Sequence, residues 1–143
     1  PITPCEIAYE YKSLFSDEYF EICAYNIETI LAEKIHTIFV RGIFNSRSKD
    51  FYDVYIIWKL HARYISKVDL LEALIQTSLK RNSYPLLNSY KETVNSIQLS
   101  PKIYEDWKRY QNTYQYAKDI KIEDICSLIL EILFEINLED RIK

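Results

Sequence analysis

Residues 26–42 read NIETILAEKIHTIFVRG, and the spacing of their apolar side chains decides what kind of fold this chain builds. On a wheel of about 100 degrees per residue with Ile27 at zero, Ile30, Leu31 and Ile38 fall within about 60 degrees of it. That is the stripe of an amphipathic helix. Asn26 precedes the stripe as an N-cap, and Glu28 stands in the first turn, where an acid complements the helix dipole. The helix is expected to run to Arg41 and to stop at Gly42, the one glycine of the chain.

Upstream the period changes. At 6–12, Ile7, Tyr9 and Tyr11 alternate with Glu6, Ala8, Glu10 and Lys12, and at 19–25 Phe20, Ile22 and Ala24 oppose Tyr19, Glu21, Cys23 and Tyr25. Period two is the signature of half-buried strands, and SerAspGlu at 16–18 supplies a turn between them. Two strands are marginal alone, so this hairpin is expected to belong to a sheet whose other strands lie before Pro1. Downstream the period stays helical. The polar AsnSerArgSer loop at 45–48 leads into a helix over 49–63, and Ser66 caps a third with a stripe of Val68, Leu71, Leu74, Ile75 and Leu79. ArgAsnSerTyrPro at 81–85 ends it. Shorter helices are expected at 88–97 and 101–117, and Ile122, Ile125, Ile129, Ile132, Leu133 and Ile136 mark a last one. The expected fold class is α+β, mainly α: a strand pair in residues 1–25, then five or six helices in residues 26–143.

Composition narrows the function classes. The 143 residues suit one domain, and the three cysteines, Cys5, Cys23 and Cys126, form no zinc or redox spacing. No apolar run approaches the ~20 residues of a membrane helix and no signal segment opens the chain, which points to a reduced, cytoplasmic setting. A single glycine excludes glycine-rich phosphate loops. The chain starts at Pro1 and contains no methionine, which reads as a fragment of a longer product.

Lys34 falls at about minus 20 degrees, inside the apolar stripe of the first helix, with Arg41 near minus 40. A lone lysine there commonly snorkels to water. Counter-charges offer another course: in RSKDFYDVY, residues 47–55, Asp50 and Asp53 lie about 60 degrees apart on the next helix and flank Val54, Ile57 and His61. A short connection joins neighbouring helices, so Lys34 and Arg41 are expected to face the two acids. A structural ion-pair cluster is one explanation, although desolvation offsets much of its attraction. Phosphoryl or nucleotidyl transfer is the other, because it needs a lysine to neutralise phosphate charge and carboxylates to hold magnesium or orient a hydroxyl. Residues 34–67 carry seven basic residues and two acids, a balance of plus five, which leaves minus eight for the rest of a chain of net minus three. Tyr52, Tyr55, Trp58 and Tyr64 interleave with those cations, as in a nucleic-acid surface or a solvated helical face.

TyrAsnIleGluThrIleLeuAlaGluLysIle at 25–35, ArgSerLysAspPheTyrAspValTyr at 47–55 and TrpLysArgTyrGlnAsnThrTyr at 107–114 together resemble the AbiEii/AbiGii toxin family of nucleotidyltransferases. The resemblance covers nearly the whole chain. It implies a polymerase-beta type enzyme, the toxin of a type IV toxin–antitoxin pair that can abort phage infection, and makes the strand pair the end of a truncated nucleotidyltransferase sheet. It further implies transfer of a nucleotide from a nucleoside triphosphate to an RNA acceptor such as a tRNA end, with a cognate antitoxin as partner and no membrane. The family lysine falls on Lys34 and the AspxxAsp acids on Asp50 and Asp53, as catalytic residues. Glu33, Arg47 and Lys49 fall beside them, Glu33 in support, and with Arg41 from the helix wheel the expected phosphate-binding residues are Lys34, Arg41, Arg47 and Lys49. The family's other half, a GlySer turn and an AspxAsp pair that bind Mg2+ and the triphosphate, occurs nowhere in the sequence. Magnesium is therefore expected to be held mainly by residues upstream, with no metal ligand assigned here, and the fragment alone is expected to be inactive. A non-catalytic helical module that binds an antitoxin or RNA is the competing class.

Overall fold

The computed structural model describes residues 27–142. Seven α-helices follow one another in it: α1 (Ile27–Arg41), α2 (Ser48–His61), α3 (Lys67–Lys80), α4 (Tyr90–Leu99), α5 (Pro101–Thr113), α6 (Ile122–Glu135) and α7 (Leu138–Ile142). Short 3-10 turns occupy Gly42–Phe44, Ala62–Tyr64, Tyr84–Ser89 and Gln115–Ala117. Of the described residues 86% are helical and none is in a strand, so for these residues the α+β expectation is corrected to an all-α fold. Only the period-two alternation of residues 6–12 and 19–25 pointed to a sheet, and from Ile27 onward every apolar pattern repeats at three and four. The expected hairpin and the Asn26 cap lie outside the described residues.

Helix α1 is the hub. Ile27, Leu31, Ile35 and Ile38 are buried, and so are Ile30, Ala32, His36 and Phe39, because α1 packs against α3, α2 and α4. It ends where Gly42 adopts φ of +52°, a left-handed conformation that costs a side-chain-bearing residue about 1 kcal/mol or more. Ser66 caps α3 by accepting a hydrogen bond from the Asp69 amide at 3.2 Å, while the Ser66 amide donates to Glu28 of α1 at 2.8 Å. The α3 stripe differs from expectation. Leu70, Leu74, Ile75 and Ser78 are buried, whereas Val68 and Leu79 are exposed. Helix α6 buries five of the six expected apolar residues, together with Cys126 and Leu128, against α2 and α4, and the sixth, Ile136, is buried just after its end. Burial pushes the Cys126 thiol up to about 12, so it stays protonated at neutral pH. Trp107 of α5 sits in the core with its indole N–H donating to the Ile120 carbonyl at 2.8 Å.

Candidate functional site

The α1–α2 contact brings Lys34 onto the two acids. Lys34 Nζ lies 2.9 Å from Asp53 Oδ2 and 3.8 Å from Asp50 Oδ1. Lys49, one turn before Asp53 on α2, places its own Nζ 2.8 Å from the same Asp53 oxygen. Arg47 Nε stands 3.9 Å from Asp50 Oδ2. Among the described residues three cations thus surround two carboxylates, an excess of one positive charge. Both acids are buried, Asp53 completely, while the side chains of Lys34, Lys49 and Arg47 are 14%, 42% and 55% exposed. The burial gradient makes the carboxylates an internal anchor and turns the cationic groups outward.

Local structure explains the arrangement. Asn45 is buried, and its Oδ1 accepts from the Arg47 amide at 2.9 Å, which fixes the chain's entry into α2. Asp50 then lies in the first turn of α2, where the helix N-terminus favours negative charge. Asp53 follows three residues later on the same side. Asp50 Oδ2 and Asp53 Oδ1 accept no hydrogen bond, an uncommon condition for buried carboxylate oxygens.

Two expected members sit elsewhere. Arg41 is exposed and pairs with neither acid; it lines a cleft with His36 and Arg81. Glu33 accepts from Arg81 Nη2 at 2.7 Å on another face of α1. Sequence reasoning missed the tyrosines of α5 and the turn after it. Tyr52 is 4.6 Å from Tyr116 between ring centroids, and Tyr110 is 4.7 Å from Tyr114 and shares a 2.7 Å hydrogen bond with Tyr116. Burial, and then neighbouring tyrosines and the Asp53 charge, push the Tyr52 hydroxyl up to about 12 and Tyr110 higher still, so both remain donors at neutral pH. Of the aromatics expected at the cluster only Tyr52 stands in this group. Trp58 is core, Tyr55 lies beneath Lys59, and Tyr64 beneath Arg63.

The described residues do not form a magnesium site. No group of three or more His, Cys, Asp or Glu side chains converges among them, and the two acids of the cluster are engaged by lysines. An octahedral ion takes more oxygen ligands than two buried, cation-paired carboxylates supply. What the arrangement offers is a fixed ammonium group near the surface, suited to phosphate charge. No helix among the described residues is long and apolar enough to cross a membrane.

No curated protein and no solved structure matches the chain. A family model described as nucleotidyl transferase AbiEii toxin, type IV toxin–antitoxin system, matches residues 1–127. The match runs through Lys34, Asp50, Asp53 and the tyrosines around them. The chain therefore belongs to the AbiEii family of nucleotidyl transferase toxins, and membership brings with it transferase chemistry and an antitoxin partner.

Proposed function

We propose that the protein transfers a nucleotide from a nucleoside triphosphate to an RNA acceptor, and that Lys34 receives phosphate charge during the transfer. The observation that carries this reading is the convergence of Lys34 and Lys49 on the buried Asp53 carboxylate, which leaves a net positive, partly exposed group on a rigid helix pair. In the reaction the acceptor hydroxyl oxygen bonds to the α-phosphorus, the bond from that phosphorus to the β-phosphate bridging oxygen breaks, and pyrophosphate leaves as the hydroxyl gives up its proton. Charge gathers on phosphate oxygens along this path, and a preorganised ammonium stabilises it without reorganising. Arg47 and Lys49, at the outer edge, bind the flanking phosphates.

Asp50 and Asp53 act as positioning residues, because their carboxylates are too buried to meet a substrate and hold Lys34 instead. The triphosphate is a substrate, and the magnesium that the family implies draws its ligands from outside residues 27–142. A tRNA end is the acceptor to test first, with growth arrest relieved by the antitoxin and restriction of phage as the consequences.

The test is transfer of label from each α-labelled nucleoside triphosphate to a tRNA pool, using the longest natural protein that carries this chain. Lys34→Ala is expected to lower transfer by about a hundredfold or more while the far-ultraviolet helix signal is kept. Retained transfer and retained toxicity in Lys34→Ala would favour the competing reading, a helical module that binds antitoxin or RNA through the same cations.

A further inference from the structure

A second cationic site lies further along α1 from the cluster. A cleft of about 300 Å³ opens between the C-terminal half of α1 and the connection from α3 to α4, lined by His36, Thr37, Val40, Arg41, Arg81 and Ser83, with Leu86 at its edge. Arg41 and Arg81 both line this small space. Arg81 is neutralised by Glu33 at 2.7 Å, but Arg41 pairs with no carboxylate among the described residues. The turn that presents Arg81 and Ser83 is fixed: Asn82 adopts φ of 55°, and the Ser83 amide donates back to the Ser78 carbonyl at 2.8 Å, as in a helix C-cap. Behind the arginines the buried His36 ring lies with Nε2 2.5 Å from Ser83 Oγ, which in turn donates to the Ser78 carbonyl at 3.3 Å. His36 Nδ1 has no hydrogen-bond partner among the described residues.

We propose that this cleft binds a phosphate group, held between the guanidinium groups of Arg41 and Arg81. The arginine fork matches phosphate oxygens with paired donors, and an anion between two like charges in a narrow cleft removes their repulsion. The Thr37 hydroxyl donates to the Glu33 carbonyl at 2.9 Å, so the arginines are the donors left to the ligand. Phosphate can arrive as a monoester or as the diester of an RNA backbone, and both present the same oxygens. Arg41 stands two turns along α1 from Lys34, about 10 Å, so the cleft is a separate subsite on the same helix.

His36 reports occupancy. Burial, and then the Arg81 charge, hold its imidazole below the ordinary 6.5, while Glu33 pulls the other way. Arg81 and Glu33 are the charged groups that act on it, and Arg41 lines the same cleft. An anion seated between the arginines offsets their charge and raises the pH at which His36 takes up a proton.

The experiment is a proton NMR titration of the histidine ring resonances, assigned with a His36→Asn variant. It is run at constant ionic strength in chloride, with added inorganic phosphate, and with added short RNA that carries no terminal phosphate. The expected result is a saturable rise of about half a pH unit in the His36 midpoint. Arg41→Gln, an exposed change that leaves the fold intact, is expected to weaken it about tenfold. Saturation by the RNA marks the diester as the ligand, and saturation by phosphate alone marks the monoester. No shift beyond chloride with either probe, or an equal response in Arg41→Gln, would overturn the proposal. Transfer is not read, so failure here leaves the transferase reading standing.

Discussion

At the residue scale the decisive group is Lys34, because one ammonium answers for two buried carboxylates. Removing one partner of a buried ion pair leaves an uncompensated charge and costs about 3–5 kcal/mol, more than keeping the pair contributes. Lys49 still reaches Asp53 when Lys34 is lost, so Lys34→Met is expected to cost about 3 kcal/mol, at the lower end. Adding Asp53→Asn leaves one buried carboxylate in place of two, and the double variant is expected to recover at least half of that loss in urea unfolding. Transfer activity should not return with it, since no neutral side chain substitutes for the ammonium at phosphate. This pairing separates the two explanations of the cluster. Recovery of stability and activity together would make Lys34 a structural partner of Asp53 and nothing more.

At the scale of the elements, two junctions set the position of α1 against its neighbours, and each rests on one small residue. Gly42 closes α1 in the left-handed region, yet a methyl group there would meet nothing nearer than Thr93 Cγ2 at 4.0 Å. Gly42→Ala is therefore expected to cost about 1 kcal/mol through backbone strain, with no clash to relieve. Ser66→Ala, which removes the cap of α3, is expected to cost a similar ~1 kcal/mol. Urea midpoints of the two single variants check both values, and a Gly42→Ala loss several times larger would mean that the 42–44 turn is held more tightly than its surroundings indicate.

The same junctions were legible in the sequence because glycine and a capping serine act locally. So were α1 and α6, whose apolar residues admit one stripe each, and so were α2, despite its two stripes, and the facing of Lys34 to Asp50 and Asp53. Helix α3 was not. Leu70, Leu71, Leu74, Ile75 and Leu79 support two overlapping stripes, and only packing against α1 selects Leu70 and Ser78 over Val68 and Leu79. Arg41 was placed with the acids because a wheel gives angle and not height: both acids sit in the first two turns of α2, level with Lys34. Arg81 and the tyrosines of α5 reach their sites across long stretches of chain, for which the sequence holds no local period.

At the scale of the whole molecule, charge is sorted rather than mixed, and the structure shows how the sorting is used. Of the seven cations between residues 34 and 67, Lys67 is matched by Glu135 at 2.8 Å, and Lys59 and Arg63 lie over the rings of Tyr55 and Tyr64. Lys34, Arg47 and Lys49 gather on the cluster with one charge in excess, and Arg41 stands at the neighbouring cleft. Net negative charge elsewhere repels a polyanion, so on the proposed reading an RNA acceptor is guided to the cations of this segment. Each phosphate contact with a single strand adds about 0.7 to the slope of log affinity against log salt. Lys49→Gln is therefore expected to lower the slope for a fluorescent single-stranded RNA by about 0.7, whereas Lys67→Gln, whose charge Glu135 already offsets, is expected to leave it unchanged. Anisotropy titrations across a range of potassium chloride measure both. An equal fall in the two variants would mean that binding follows overall charge and not the face built by α1 and α2, and the cluster would then lose its place as the point where the acceptor is held.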